Sequence, residues 1–209
     1  MGIAEGELSL ITDARQYIKR RYHKPGNVYL GVVSRLDALA SGVVLFARTS
    51  KAAARLTDQF RAREVTKIYW AVTSGTISPP SGTCIDWMVK SEAQQRMLIV
   101  DRGQVGAQEA RLSYRTLSKL PHGSLLEIEL ETGRKHQIRL QLAERGFPIL
   151  GDRKYGSQVP FCLGKAIALH ARRLVIRHPV RRGELGFVAP LPAAWQTLGV
   201  ENLSRDEGG

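Results

Sequence analysis

The sequence predicts an α+β domain built around a mixed β-sheet, and three observations carry that reading. Segments with an apolar period of two, such as "KIYWAV" and "SLLEIEL", read as strands. Segments with a period near that of a helix, at 49–67 and 134–146, read as amphipathic helices. The two kinds follow one another without the regular alternation of a wound parallel sheet. At 209 residues and 43% hydrophobic, the chain can enclose one core, so a single domain over 1–209 is expected.

Each element can be justified in order. Residues 1–8, "MGIAEGEL", are small and polar and are expected to fray. "ITDARQYIKRRYHK" has helical character until "PGN" breaks it. β-rich residues at 28–33 and 43–47 make two strand candidates around the polar interruption "SRLDALASG". The helix after it has Ser50 as a cap candidate and Ala52, Leu56 and Phe60 on one face. In "KIYWAV", alternation sends Ile68, Trp70 and Val72 to one side and Tyr69 to the other. Residues 76–83, "TISPPSGT", read as loop, and 86–112 as short strands. Leu126, Ile128 and Leu130 alternate with Glu127 and Glu129, after which "ETG" turns the chain into a helix at 134–146 with Gly146 as C-cap. "FPILGDRKYG" is turn-rich, 166–180 reads as a strand or strand pair, and 201–209 as a disordered tail.

Charge narrows the partners. With 31 Lys+Arg against 19 Asp+Glu, the net charge is +12, which favours a polyanion, and nucleic acid ahead of a membrane surface. No apolar run approaches the roughly 20 residues that span a bilayer, and no signal-like segment opens the chain. A soluble, cytoplasmic protein is expected. Cys84 and Cys162 stand apart from other ligand-type residues and read as two reduced thiols, without zinc or disulfide. Gly31, Gly42 and Gly133 fit neither a dinucleotide fingerprint nor a P-loop.

Two stretches hold residues able to do chemistry. In "SRLDALASG", Asp37 is either a turn residue held by backbone N–H groups or a carboxylate aimed into a cleft. Arg35 either pairs with an acid or reaches for phosphate. "GRKHQIR" puts four potential cations within seven residues. This is either a solvated basic helix start or a functional cluster. Arg139, beside Ile138, sits near the border of the buried face and calls for a carboxylate. His136, His170 and His178 have no metal-ligand spacing and read as hydrogen-bonded, packing or strand-end residues.

"SRLDALASGVVLFARTSKAA", "KIYWAV", "GRKHQIRLQLAERGFPILGDRKYG" and "LHARRLVIRHP" resemble, in order and spacing, the successive motifs of the RluA-type RNA pseudouridine synthases, over roughly residues 28–180. The resemblance implies that family's catalytic fold, a mainly antiparallel mixed sheet with flanking helices and a central cleft. It implies isomerisation of uridine to pseudouridine in ribosomal or transfer RNA without metal or cofactor; a monomer is expected. The tripeptide aspartate maps onto Asp37 as nucleophile and the "K-x-Y" tyrosine onto Tyr69, a platform for the flipped base with a second role open to it in proton transfer at C5. The arginine of "HQIR" maps onto Arg139, whose guanidinium would offset desolvation of the Asp37 carboxylate. Substrate-binding positions are implied at Arg35, Arg134, Lys135, His136, Ile138 and Leu169. Arg35 is the one suited to the RNA backbone or to the space left by the flipped base.

The chain departs from the family pattern at Ser34, where a His is usual, at Ala40 and Lys135, where Thr is common, and in lacking an upstream Lys-Pro-Gly motif. "HKPG" at 23–26 lies too close to Asp37 to be that motif, so a shortened N-terminus is expected. No appended S4-type RNA-binding domain is visible, which leaves substrate capture to the basic surface of the domain. The competing reading is an inactive RNA-binding protein of the same fold. A third, a hydrolase using Asp37 as a base, would release uracil.

Overall fold

The computed structural model describes residues 9–181 and 183–200. The segments 1–8 and 201–209, read above as flexible, lie outside the described residues. Helix α1 (Leu10–Arg21) is capped by Ser9, whose Oγ accepts from the Thr12 amide. Two short strands, β1 (Gly31–Val32) and β3 (Phe46–Ala47), form an antiparallel ribbon, and β2 (Ser41–Gly42) lies between them in the chain. Helix α2 (Ser50–Arg61) follows, with Thr49 rather than Ser50 as its cap.

The remaining strands are β4 (Thr66–Val72), β5 (Ser81–Ser91), β6 (Arg96–Val100), β7 (Gln108–Leu120), β8 (Gly123–Leu130), β9 (Leu169–Arg177) and β10 (Glu184–Val188). They run in the order β10-β9-β4-β8-β7-β5-β6, all antiparallel, and β2 joins β9 in parallel. The result is the mixed, mainly antiparallel sheet that the sequence predicts. Helix α3 (Gln137–Ala143) lies in the β8–β9 connection.

Three apolar clusters hold this frame. The largest joins Trp70, Leu112, Leu126, Ile128, Ile138, Leu142, Ile149 and Trp195, so α3 and the 147–169 excursion cover the middle of the sheet. A second packs Leu56 of α2 on Leu174 and Ile176 of β9, with Ala52 and Phe60 at its edge, as the helical spacing predicts. The third sets Leu140 of α3 and Tyr155 against Met88, Met97 and Ala110.

Several boundaries differ from the sequence reading. The strands expected at 28–33 and 43–47 shrink to pairs of residues, because the chain between them leaves the ribbon to join β9. There Gly42, at φ +117°, lies against the Ala171 backbone, and a Cβ would come within 2.3 Å of the Ala171 oxygen. The loop read over 76–83 ends at Ser81, where pairing with β7 begins. The region 86–112 holds one short strand, β6, between the end of β5 and the start of β7, both of which run longer than the sequence reading. The helix read over 134–146 is restricted to Gln137–Ala143, because His136 adopts a left-handed conformation at φ +55°. Gly146, at φ +84°, still ends it, donating to the Ala143 carbonyl.

Candidate active site

The polar interruption of the first strands is a turn whose aspartate faces a cleft. Its base is pinned by Ser34: Oγ accepts from the Leu45 amide at 2.8 Å, while the Ser34 and Val33 amides donate to the Leu45 carbonyl. The turn closes through the Ala40 amide and the Asp37 carbonyl at 2.9 Å. Asp37 thus gives its main chain to the turn, and its carboxylate is left for the partner across the cleft. Ser34 serves the backbone of this loop.

That partner is Arg139. Its Nη1 donates to Asp37 Oδ2 at 3.1 Å, while Nε and Nη2 donate to the two oxygens of Asp152 at 2.6 and 2.8 Å. Arg139 and Asp152 are buried, whereas the Asp37 side chain keeps 22% of its surface. One guanidinium therefore bridges a sealed carboxylate and an accessible one. Burial opposes its charge, but the bonds and charge of Asp152 and then Asp37 outweigh that, and the Arg139 pKa moves up.

Helix α3 is placed by a clamp on the loop before it. Gln137 Oε1 accepts from Thr132 Oγ1 at 2.7 Å and from the Arg134 amide at 3.0 Å, and Gln137 Nε2 donates to the Arg111 carbonyl of β7. The left-handed turn at His136 then aims its ring inward. Nδ1 shares a hydrogen bond of 2.8 Å with the Tyr155 hydroxyl, and Nε2 stands 3.9 Å from Asp37 Oδ1. Burial lowers the His136 pKa, helped by Arg139, Lys135 and Lys154 and opposed by Asp37, so the ring is neutral at pH 7. Tyr155 also accepts from the Met97 amide and lies under the Arg139 guanidinium at 5.1 Å.

On β4, Tyr69 and Lys67 share the face opposite Ile68, Trp70 and Val72, as the alternation predicts. Both line a cavity of about 550 Å³ together with Asp37, Arg139, Arg35, Arg134, Lys135, His136, Ile138 and Leu169. All nine site positions read from the sequence therefore meet in one cleft. Ile138 and Leu169 are buried in its floor. Arg35 and Lys135 are exposed, and Arg35 makes no ion pair among the described residues. Of the two readings of Arg35, pairing with an acid is therefore not realised among the described residues, and the neighbouring acid, Asp37, is taken by Arg139. Burial first, and the Asp37 charge second, push the Tyr69 phenol up to about 12.

Residues outside the sequence reading complete the site. Asp152 and Tyr155 lie in "GDRKYG", and the signal for Asp152 is the demand of a buried arginine for a carboxylate. Lys67 heads the tyrosine strand itself. His170 packs on Trp195 and bonds Ser41 Oγ and the Ala189 carbonyl, and His178 closes a turn after β9, so both are structural as expected. Cys84 and Cys162 are free thiols. No helix among the described residues is long and apolar enough to cross a membrane.

The chain matches the family described as RNA pseudouridylate synthase over residues 5–144. An uncharacterized RNA pseudouridine synthase of Chloroflexus aurantiacus is 39% identical over 175 residues, covering 83% of this chain and 54% of that protein. The ribosomal large subunit pseudouridine synthase D of Pseudomonas aeruginosa is 35% identical over 188 residues, covering 82% and 57%. The chain spans about half the length of these curated relatives. Among solved structures, human RNA pseudouridylate synthase domain containing 4 superposes with a TM-score of 0.76 at 26% identity, covering 93% of this chain and 85% of that one. With its motifs in family order, the family match over two thirds of its length and this fold, the chain belongs to the RluA-type RNA pseudouridylate synthase family.

Proposed function

We propose that the protein isomerises uridine to pseudouridine in structured RNA, with ribosomal RNA of the large subunit, the RNA named for the Pseudomonas aeruginosa relative, as the first substrate to test and transfer RNA as the second. The observation that carries the reading is the Arg139 bridge, which presents the Asp37 carboxylate to a cleft walled by Tyr69.

In this reading a uridine leaves its stack, paying a few kcal/mol, and its base rests on the Tyr69 ring. Asp37 attacks as nucleophile, with Arg139 balancing its charge as water is expelled. The N1–C1′ bond breaks, the uracil turns, the C5–C1′ bond forms and Asp37 is released. C5 loses a proton and N1 gains one, so atoms and electrons balance without a co-reactant. Tyr69, with its phenol at about 12, stays protonated while Asp37 is charged. Once the carboxylate is taken up in the covalent adduct, the second cause of that shift disappears, so the phenol gives up its own proton more readily, to N1 of the freed uracil, and the phenolate so formed accepts the C5 proton.

Mapping pseudouridines in ribosomal and transfer RNA from cells with and without the gene tests this. The expected result is one or a few sites that vanish with the gene. Identical maps, with purified protein that binds RNA but changes no uridine, would favour the inactive RNA-binding reading.

A further inference from the structure

Apart from the exposed Arg35 and Lys135, the Lys and Arg residues lining the cleft fall into two kinds. The charge of Arg139 is shared by two carboxylates. Lys67 and Arg134 are held only by main-chain oxygens: Lys67 Nζ donates to the Thr132 carbonyl at 3.3 Å, and Arg134 Nε donates to the Glu109 carbonyl at 2.9 Å. Neither makes an ion pair among the described residues. Both cations are thus fixed in place with their charge uncompensated, although both line the cavity.

Such an arrangement is costly until an anion arrives. Burial, then the neighbouring charges of Arg63 at the end of α2 and Arg134, bring the Lys67 pKa down from 10.5 to about 8. Among the described residues no carboxylate offsets this, so a bound anion would be stabilised by Lys67 and Arg134, which both line the cavity. Strand alternation adds the position. Lys67 and Tyr69 stand two residues apart on one face of β4, about 6.6 Å along the strand, a separation that fits the base and phosphate of a single nucleotide.

We propose that Lys67, with Arg134, binds the phosphodiester of the nucleotide whose base lies on Tyr69, and so sets how deeply the flipped nucleotide enters the cleft. This deepens the uridine-isomerising reading and rests on it. Lys67 is a substrate-binding residue here, and its task differs from that of Arg139: one neutralises a phosphate, the other a protein carboxylate.

The test compares wild type, Lys67→Gln and Lys67→Arg for binding to an unmodified transcript of large-subunit ribosomal RNA across a range of salt concentrations, and for KM and kcat on the same transcript. Glutamine keeps a donor for the Thr132 carbonyl and removes only the charge. Lys67→Gln is expected to bind about tenfold more weakly, with a log–log salt slope smaller by about one. Its KM should rise more than its kcat falls, and Lys67→Arg should restore the slope. An unchanged slope, or a fall in kcat at constant KM, overturns the proposal. If Lys67→Gln fails to fold, Arg134→Gln decides, because the proposal sets Arg134 on the same phosphate and its salt slope should also fall by about one; an unchanged slope overturns it. A transcript left unmodified by wild type refutes the reaction assignment, while the salt slope still decides on Lys67.

Discussion

Replacing Asp152 by asparagine separates the anchoring of Arg139 from the chemistry of Asp37. The substitution preserves shape and removes the charge of a carboxylate that is 1% exposed, facing an arginine that is 5% exposed, with contacts of 2.6 and 2.8 Å. Breaking one side of such a buried pair costs about 3–5 kcal/mol, and the amide oxygen of asparagine retains one acceptor, which points to the lower end, about 3 kcal/mol. For a domain of this size, each kcal/mol moves the melting temperature by about 2–4 °C, so a drop of about 6–12 °C is expected. Asp37→Asn makes the contrast. It removes a single 3.1 Å contact from a side chain with 22% exposure and leaves Arg139 doubly bonded to Asp152, a loss of about 1 kcal/mol or less. Thermal unfolding followed by circular dichroism, with turnover measured in parallel, reads both. Asp152→Asn should lose stability and slow turnover because Arg139 is no longer held, and Asp37→Asn should keep the fold and lose turnover. An Asp152→Asn protein melting within about 2 °C of wild type would refute the claim that this carboxylate anchors the site.

Three further outcomes follow from the geometry. Tyr69→Phe should keep RNA affinity, since the stacking ring remains, whereas Tyr69→Ala should lose about 1–3 kcal/mol of it in a filter-binding titration. For pH, the sign follows from the lowered pKa of Lys67. The ammonium is present below about 8 and lost above it, so KM should rise from about pH 7 to about pH 8.5 in wild type and stay level in Lys67→Arg. His136 titrates below this window and Tyr69 above it. Gly42→Ala should cost about 3 kcal/mol or more and appear as poor solubility or a strongly lowered melting temperature, because it meets both a positive φ and the Ala171 backbone.

Much of the site was legible because its residues lie in strongly patterned stretches. The two-residue period of "KIYWAV" placed Tyr69 on the face away from Trp70, and the apolar company of Arg139 marked it as a residue needing an acid. What escaped did so for physical reasons. The acid that answers Arg139 lies thirteen residues later, in a turn without periodicity, so only the fold joins them. In β5 the pattern is inverted. Asp86 faces inward to Gln141 and Arg145, while Ile85 is 49% exposed, and alternation read by hydrophobicity therefore fades along this strand. The helix starts at Gln137, three residues after the position its pattern predicts, because a left-handed His136 leaves no trace in composition. Ser34, a departure from the family pattern, proves to be a backbone clamp that holds the Asp37 turn in place.

The central claim is that Asp37, held by Arg139, acts as a nucleophile on uridine. It is tested most directly by incubating purified wild type and Asp37→Asn with unmodified ribosomal RNA transcripts and analysing the nucleosides by mass spectrometry. The account predicts pseudouridine, at unchanged mass, with wild type and none with the variant. Pseudouridine formed by Asp37→Asn, or free uracil and an abasic site formed by wild type, would contradict it.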